Sequence, residues 1–563
     1  MTDGEDGCGA GWDDVSFHGS PQIPTPNLDA LARTGVVLNN YYVMPLCSPS
    51  RGALLSGLYS IHTGFQSGIL MPAQPAGLPL DVKIMPEHFK DLGYETHLVG
   101  KWHIGYYSLQ YTPSFRGFDT FLGVYTGPVD YYSHVQTFLT EAELSESFSE
   151  QNAVNVKSIK MSGDGKEIET KYLILTFGSS VLPESIEARY MKLRDSRTGL
   201  DFFYNAKPLR SANGTYLTTL YTERAKYIIR NRDKSKPLFL YLAHQATHSG
   251  NVPNILQAPE VNIKKFPYIG DPNRTIYAGM LDALDQSVGA VLEALEAASM
   301  LDDTIIVFSS DNGAAPFYYA LANLGSNWPL RGSKGTLWEG GVRATAFLWT
   351  PRLLRQRRVS QHLMHITDWL PTLFAAAGGN VNHLGPLDGL NMWQALNYGK
   401  ASPRTEILLN IDAEQGNAAL RYGKFKVLVG SLNNLDQRYQ TPGESRPYRD
   451  LDVLLRRSRA AAVLRRLYGR DVFKRDDCWR RKATLRCGRV ANSSFVSGRT
   501  LYLFDIDEDP CELHDLSRER PQIVSMLLEK LAAYNKTVVQ PVNSTIDPEG
   551  YPENHDGVWA PWI

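Results

Sequence analysis

The chain has 563 residues, 43% of them hydrophobic and 21% charged, with a formal net charge of −1. These proportions describe a folded protein with a large core and exclude a collagen, a coiled coil or a disordered tail. With 58 basic against 59 acidic side chains there is no global field to draw nucleic acid or an anionic membrane, so any anion must be held locally.

In chain order, the first six residues are acidic and Gly-rich and lack the basic and apolar stretches of a signal peptide. Apolar residues at three- and four-residue spacing predict a helix over 26–33, and the same spacing recurs over 277–297. Three short apolar runs, 96–99, 237–242 and 304–308, read as buried strands of a parallel sheet. Each ends in polar or Gly-rich residues, where a doubly wound α/β protein carries its chemistry. The fold class is therefore α/β, with a central, mostly parallel mixed sheet flanked by helices. The stretch 151–195, with its apolar run Tyr172-Leu173-Ile174-Leu175 in polar surroundings, reads as an insertion.

After residue 395 the texture changes. A linker at 399–403 precedes strand-like runs at 425–429 and 500–504 and a helix from Pro521 to Tyr534, which predicts a smaller α+β domain over 396–563 behind a catalytic domain over 1–395. Arg456 to Arg489 is rich in arginine and reads as a solvated helix face or a patch for an acidic polymer. No apolar run approaches the roughly 20 residues that span a bilayer. The five cysteines show no zinc spacing, and Cys478 and Cys487 are expected to close a short surface disulfide. Five N-x-[ST] sequons, at Asn213, Asn273, Asn492, Asn535 and Asn543, lean toward a glycosylated protein of the secretory route.

The sharpest local signal is Cys47-Ser48-Pro49-Ser50-Arg51, followed by Leu54-Leu55-Ser56-Gly57. Gly100-Lys101-Trp102-His103 follows one predicted strand and offers a fixed cation beside an imidazole. His244 and His248 follow the second strand, and Asp311-Asn312-Gly313 the third, where two hard oxygen donors stand side by side as a Ca²⁺ or Mg²⁺ site wants. Lys334 lies in the Gly-rich run 331–343, which matches no nucleotide-binding pattern.

Taken in this order, the motifs resemble the signatures of the type I sulfatases, over roughly residues 11–150 and 200–563, and within them the arylsulfatase branch that includes the N-acetylgalactosamine-4-sulfatases. The flanks 25–29, 130–134, 364–369 and 557–562 match as well. The resemblance implies that Cys47 is oxidised to formylglycine by a formylglycine-generating enzyme, and that its hydrate attacks sulfur. It further implies that Arg51 and Lys101 stabilise the nucleophile, that His103 is the base, and that His248 and Lys334 hold the sulfate and leaving oxygen. Asp311 and Asn312, with the side chain at Cys47, would bind one Ca²⁺. The implied substrate is a sulfated glycan and the implied compartment the lysosome or the exterior. A phosphatase on a related fold would carry Ser or Thr where Cys47 stands. One departure is plain: an ungapped register puts Cys8 and Gly9 where the family has two metal-binding aspartates, while Asp13 and Asp14 match later positions. The alternative reading is therefore a catalytically impaired glycan-binding relative.

Overall fold

The computed structural model describes residues 10–138, 159–163, 166–170, 197–251, 254–316, 322–430, 439–440, 450–474, 478–487, 493, 495–542 and 544–563. Most of the segment 151–195, including Tyr172 to Leu175, lies outside them, as do Cys8 and Gly9.

In chain order the elements that build the site are α1 (Pro26–Thr34), β1 (Val36–Leu38), α2 (Cys47–Ser56), β2 (Glu95–Lys101), β3 (Thr120–Val124), β4 (Phe203–Tyr204), β5 (Lys207–Pro208), α3 (Leu217–Asn231), β6 (Leu238–Ala243), α4 (Pro272–Ala297), β7 (Ile306–Ser309), β8 (Ala346–Trp349) and β9 (Arg358–Ser360). The C-terminal part adds β10 (Glu406–Asp412), β11 (Asn417–Tyr422), β12 (Phe425–Gly430), α5 (Leu451–Arg457), α6 (Arg459–Tyr468), α7 (Cys478–Ala483), β13 (Leu501–Asp505) and α8 (Pro521–Asn535).

The predicted strands are present, but they do not share one sheet. A five-stranded sheet runs β5-β4-β3-β2-β6, with β2 parallel to β3 and to β6, β4 antiparallel to β3, and β5 antiparallel to β4. A four-stranded sheet runs β7-β8-β1-β9, in which only β1 and β9 are parallel. Between β6 and β7 lies a small apolar cavity of about 10 Å³, lined by Leu242, Ile306, Phe308 and Phe347 from the strands and by Leu28, Leu31, Val288, Val291 and Leu292 from the helices. The expected mixed sheet flanked by helices is thus present, divided among the described residues into separate sheets in place of one that is mostly parallel.

Close backbone approach explains Gly100 at φ 124°. A Cβ there would sit 1.7 Å from the Ala243 carbonyl oxygen of the neighbouring strand, so only glycine lets β2 and β6 end side by side. Helix α1 begins with Pro26 at its first turn and is capped from outside: the Asp285 carboxylate on α4 accepts from the backbone N–H of Asn27 (3.0 Å) and Leu28 (2.9 Å). Burial pushes the Asp285 carboxyl up to about 7.

Strands β10 to β13 form an antiparallel sheet buried on both faces. Alternation along β10 sends Leu408 toward Val524, Leu527 and Leu531 of α8, and Ile407 and Leu409 toward Trp338 and Val342 of the preceding part. The C-terminal sheet thus covers the segment that carries Lys334. The arginine-rich helices do not follow that sheet: α6 packs on α1 and α4. Arg466 pairs with Glu296 (2.5 Å), and Arg480 with Asp29 (2.8 Å) and Asp452 (2.7 Å). Part of the arginine content is therefore used to fasten α5 to α7 onto the core.

The expected Cys478–Cys487 disulfide is not formed. Cys487 is bonded to Cys511, 24 residues away, with Cα atoms 5.8 Å apart. Cys478 instead opens α7, and the turn bearing Cys511 lies beside Leu485, Leu330 and Leu513.

Candidate active site

Cys47 is the first residue of α2 and is 1% exposed, yet its surroundings are polar rather than apolar. Its Sγ lies 3.4 Å from Asn312 Oδ1, and its side chain also meets the rings of His103 and His248. Ser50, one turn along, fixes this start: its hydroxyl accepts from the Met44 N–H (3.1 Å) and bonds the Asp311 carbonyl. Arg51 sits on the same helix, 1% exposed, with Nη2 3.0 Å from Asp311 Oδ2 and Nη1 donating to the Lys101 carbonyl at 2.9 Å. One buried guanidinium thereby links three of the predicted segments.

Lys101 is the last residue of β2 and is fully buried. The chain then turns sharply, with Trp102 N–H on the Val124 carbonyl and His103 N–H on the Tyr125 carbonyl, each at 3.0 Å. His103 takes a left-handed φ of 60°, and its Nε2 is 3.0 Å from the Leu70 carbonyl oxygen, so Nε2 is the donor and Nδ1 remains as the basic nitrogen. Burial first, then the Lys101 charge, pushes the imidazole down to about 4.

The strand β6 delivers His248. Its Nδ1 is 2.6 Å from the Ser249 carbonyl oxygen and its Nε2 accepts from Lys334 Nζ at 3.3 Å. Burial, with Lys334 and then Lys101 nearby, pushes it down to about 3. Tyr131 braces the turn, its hydroxyl 2.8 Å from the carbonyl oxygens of both Gln245 and His248. His244 faces the other way, onto Ser287 Oγ of α4 at 3.1 Å, and is a structural neighbour as expected.

Asp311 and Asn312 follow β7 directly. Gly313 permits the approach of the Lys334 segment, since a Cβ there would lie 1.8 Å from the Gly340 carbonyl oxygen. Lys334 N–H bonds the Ala314 carbonyl (2.9 Å) and Gly335 N–H the Pro45 carbonyl (2.8 Å), which ties this loop to both the Asp311 turn and the Cys47 segment. Below it lies a cluster that sequence reading missed. Fully buried Lys426 of β12 reaches Glu339 (2.9 Å) and Glu512 (2.8 Å), and Glu339 also meets Arg343 (3.3 Å) and the Tyr42 hydroxyl (2.8 Å). Nothing in the local pattern of β12 distinguishes Lys426 from a solvent-facing lysine of an alternating strand; only the tertiary arrangement reveals it.

All eight predicted residues, Cys47, Arg51, Lys101, His103, His248, Asp311, Asn312 and Lys334, therefore converge. Three cations and two neutral imidazoles stand against one carboxylate among them, which suits an anion with several oxygens. An oxygen-bearing side chain at position 47 fits these donors. A calcium ion fits less well. Asp311 and Asn312 supply two oxygens, and no grouping of three or more His, Cys, Asp or Glu suited to a metal occurs among the described residues. Asp14 does not complete the set: fully buried, it accepts from Tyr277 Oη (2.6 Å) and the Ser326 N–H (2.9 Å) and pairs with Arg274 (2.8 Å).

Comparison with known proteins agrees with this geometry. The Sulfatase family model matches residues 9–379. Arylsulfatase J of Mus musculus is 36% identical over 563 residues, covering 98% of this chain and 78% of that protein. N-acetylgalactosamine-6-sulfatase of Homo sapiens is 30% identical over 406 residues, 70% of this chain and 65% of its own length. The crystal structure of Ps i-CgsB in complex with k-i-k-neocarrahexaose superposes with a TM-score of 0.66 at 24% identity, covering 97% of this chain and 94% of the other, which is a likeness of fold. With the family model spanning well over half its length, this chain belongs to the sulfatase family of sulfuric ester hydrolases.

Proposed function

We propose that the chain removes sulfate from a sulfated sugar or glycosaminoglycan, as an N-acetylgalactosamine-4-sulfatase does, with a catalytic domain over 1–395 and a smaller domain over 396–563. The observation that carries the reading is the meeting of Cys47 with His103, His248 and Asn312 among the buried cations Arg51, Lys101 and Lys334. A sulfate monoester repels nucleophiles because its oxygens are negative, so the site needs fixed positive charge before attack is feasible.

Oxidised to formylglycine by a formylglycine-generating enzyme and hydrated, the side chain at 47 would supply one hydroxyl to attack sulfur and a second whose deprotonation releases the sulfate. Arg51, held by Asp311 and the Lys101 carbonyl, keeps that side chain at the start of α2, where the helix dipole also favours negative charge. Lys101 lies between His103 and His248 electrostatically and neutralises sulfate oxygens. His103, with Nε2 committed to Leu70, takes the proton at Nδ1. Lys334 and His248 form a donor–acceptor pair beside the exposed turn at Gly335, and to this pair the reading assigns the leaving oxygen.

Calcium is the cation this reading expects, with Asp311, Asn312 and the side chain at Cys47 as its ligands; among the described residues that set is short of a complete site. The same shortfall favours a second reading, a glycan-binding relative with little turnover. The disulfide Cys487–Cys511 is consistent with a lumenal or extracellular protein, and a lysosomal or secreted site is proposed on that footing. Among the described residues no helix is long and apolar enough to cross a membrane.

The test is hydrolysis of a chromogenic aryl sulfate by the secreted chain, with calcium present, beside Cys47→Ala. Activity that vanishes in the variant supports the first reading. Protein that is folded, modified at Cys47 and inactive selects the second.

A further inference from the structure

The arginine-rich segment is divided by the structure into two sets. One set is paired with acids of the same molecule: Arg480, largely buried, with Asp29 of α1 and Asp452 of α5, and Arg466, itself exposed, with Glu296 of α4. Arg470 and Lys482 are exposed, and they are joined by cations from a stretch the sequence reading did not single out. Residues 351–362, Pro-Arg-Leu-Leu-Arg-Gln-Arg-Arg-Val-Ser-Gln-His, contain four arginines and no acid. In that stretch Arg355 and Arg357 are exposed, whereas Arg358 is turned in to the carbonyl oxygens of Ala395 (2.8 Å) and Leu396 (2.6 Å).

Several contacts place these cations along one edge of the molecule. Strand β9 is the outer strand of its sheet, and α7, which carries Lys482, packs against it. Arg357 acts electrostatically on Tyr468 at the end of α6, two residues before Arg470. Arg355 N–H bonds the Asn397 carbonyl (3.1 Å), which brings exposed Lys400 into the same region. The acids nearby are largely matched already: Asp303 pairs with Arg352, and Asp471 with Lys474 (2.9 Å).

This edge is not the active site. Strand β8 is antiparallel to β7, with Trp349 opposite Ile306 and Ala346 opposite Ser309, so the turn after Trp349 lies at the end of the sheet away from Asp311.

We propose that the edge formed by Arg355, Arg357, Lys400, Arg470 and Lys482 is a second binding surface for a sulfated glycan chain, separate from the catalytic pocket. The proposal rests on the reading of the substrate as a sulfated glycan and extends it from one ester to a polymer. In a molecule of net charge −1 this strip is a local concentration of positive charge, and spaced exposed cations suit sulfates spaced along an extended chain. Its contribution is to retention of the polymer and leaves the chemical step untouched, so small esters are indifferent to it.

The experiment uses the full chain with Arg355→Gln, Arg357→Gln, Arg470→Gln and Lys482→Gln, first in a Cys47→Ala background. Binding is measured against chondroitin 4-sulfate, its chemically desulfated form and double-stranded DNA, at low and at roughly 0.15 M salt. The expected result is sulfate-dependent, salt-sensitive binding that the four changes weaken by about tenfold or more. With Cys47 restored, the KM for the polymer rises while kcat and KM for an aryl sulfate stay as they were. An unaltered thermal midpoint shows that the variant is folded, and two double variants, Arg355→Gln with Arg357→Gln and Arg470→Gln with Lys482→Gln, each give part of the loss. Unchanged affinity for the sulfated chain overturns the proposal, as does equal patch-dependent affinity for DNA. Patch-dependent glycan binding without any turnover by the unaltered chain overturns the catalytic reading and leaves this one standing.

Discussion

Around Cys47 the site has two sides that differ in how completely the described residues build them. On the anion-facing side, Lys101 with His103, His248, and Lys334 come from three segments, and each segment is held by contacts of its own: Tyr125 and Leu70 for His103, Tyr131 and Ser249 for His248, Pro45 and Ala314 for the Lys334 loop. On the cation-facing side, Asp311 and Asn312 are held as firmly, but Asp14 is engaged elsewhere, locked by Arg274, Tyr277 and Ser326. Charge on the first side is balanced by substrate; charge on the second is answered by Arg51, which pairs with Asp311. On the proposed function, binding a sulfate and binding a metal are separable demands on this scaffold.

The anion-facing side is tested most severely by Cys47→Ala, which should lower hydrolysis of an aryl sulfate by about 10³-fold or more if the nucleophile comes from this side chain. Residual turnover close to that of the unaltered protein would remove Cys47 from the mechanism. Support for Lys334 from below is tested by Lys426→Met. That change leaves Glu339 and Glu512 facing one another without their shared cation, and uncompensated buried charge costs about 3 kcal/mol or more. Denaturant unfolding should show that loss, and Lys426→Met combined with Glu512→Gln should recover part of it. Equal stability of the two variants would mean that Glu512 is not a partner in the cluster.

The cation-facing side is sharpened by adding what the sequence register lacks. Cys8→Asp with Gly9→Asp should tighten calcium binding by about tenfold or more in titration calorimetry, because affinity for this hard ion follows the number and charge of its oxygen ligands. No change in affinity would show that the register with the family's aspartates is wrong.

The candidate site residues were legible because each stands in a local pattern: a short spacing from a strand end, a pentad around Cys47, a Gly-rich run around Lys334. It was the resemblance of these patterns, in their order, to the sulfatase signatures that grouped Asp311 and Asn312 with Cys47, and Asn312 lies 3.4 Å from Cys47 Sγ. What was not legible depended on partners far apart in sequence. The apolar runs at 237–242 and 304–308 read alike, yet β6 and β7 belong to different sheets, because period and composition do not say which edges pair. Cys487 pairs with Cys511 rather than with Cys478, and spacing alone cannot choose among cysteines. Lys426 and Tyr131 act through tertiary contacts, and no local motif marks them.

The two histidines that follow β6 give the finest test, since His244 and His248 are both buried and both pushed down to about 3, while only His248 faces the nucleophile. A histidine whose value falls from 6.5 in the unfolded chain to about 3 in the folded one stays neutral when folded and takes up a proton on unfolding. Its contribution to stability is therefore whole above 6.5 and is lost as pH falls from 6.5 toward 3, by about 1.4 kcal/mol for each pH unit. Asp285, raised to about 7, works in the opposite sense: its contribution is whole below its unfolded value near 3.8 and is lost as pH rises through 7. His244→Gln should consequently flatten the fall in unfolding free energy between pH 6 and pH 4.5 by about one proton's worth and leave aryl sulfate turnover unchanged. Asp285→Asn should steepen the same fall, because it removes the group that resists it. A slope unaltered by His244→Gln would mean that this ring is already protonated in the folded protein, which its hydrogen bond to Ser287 and its burial argue against.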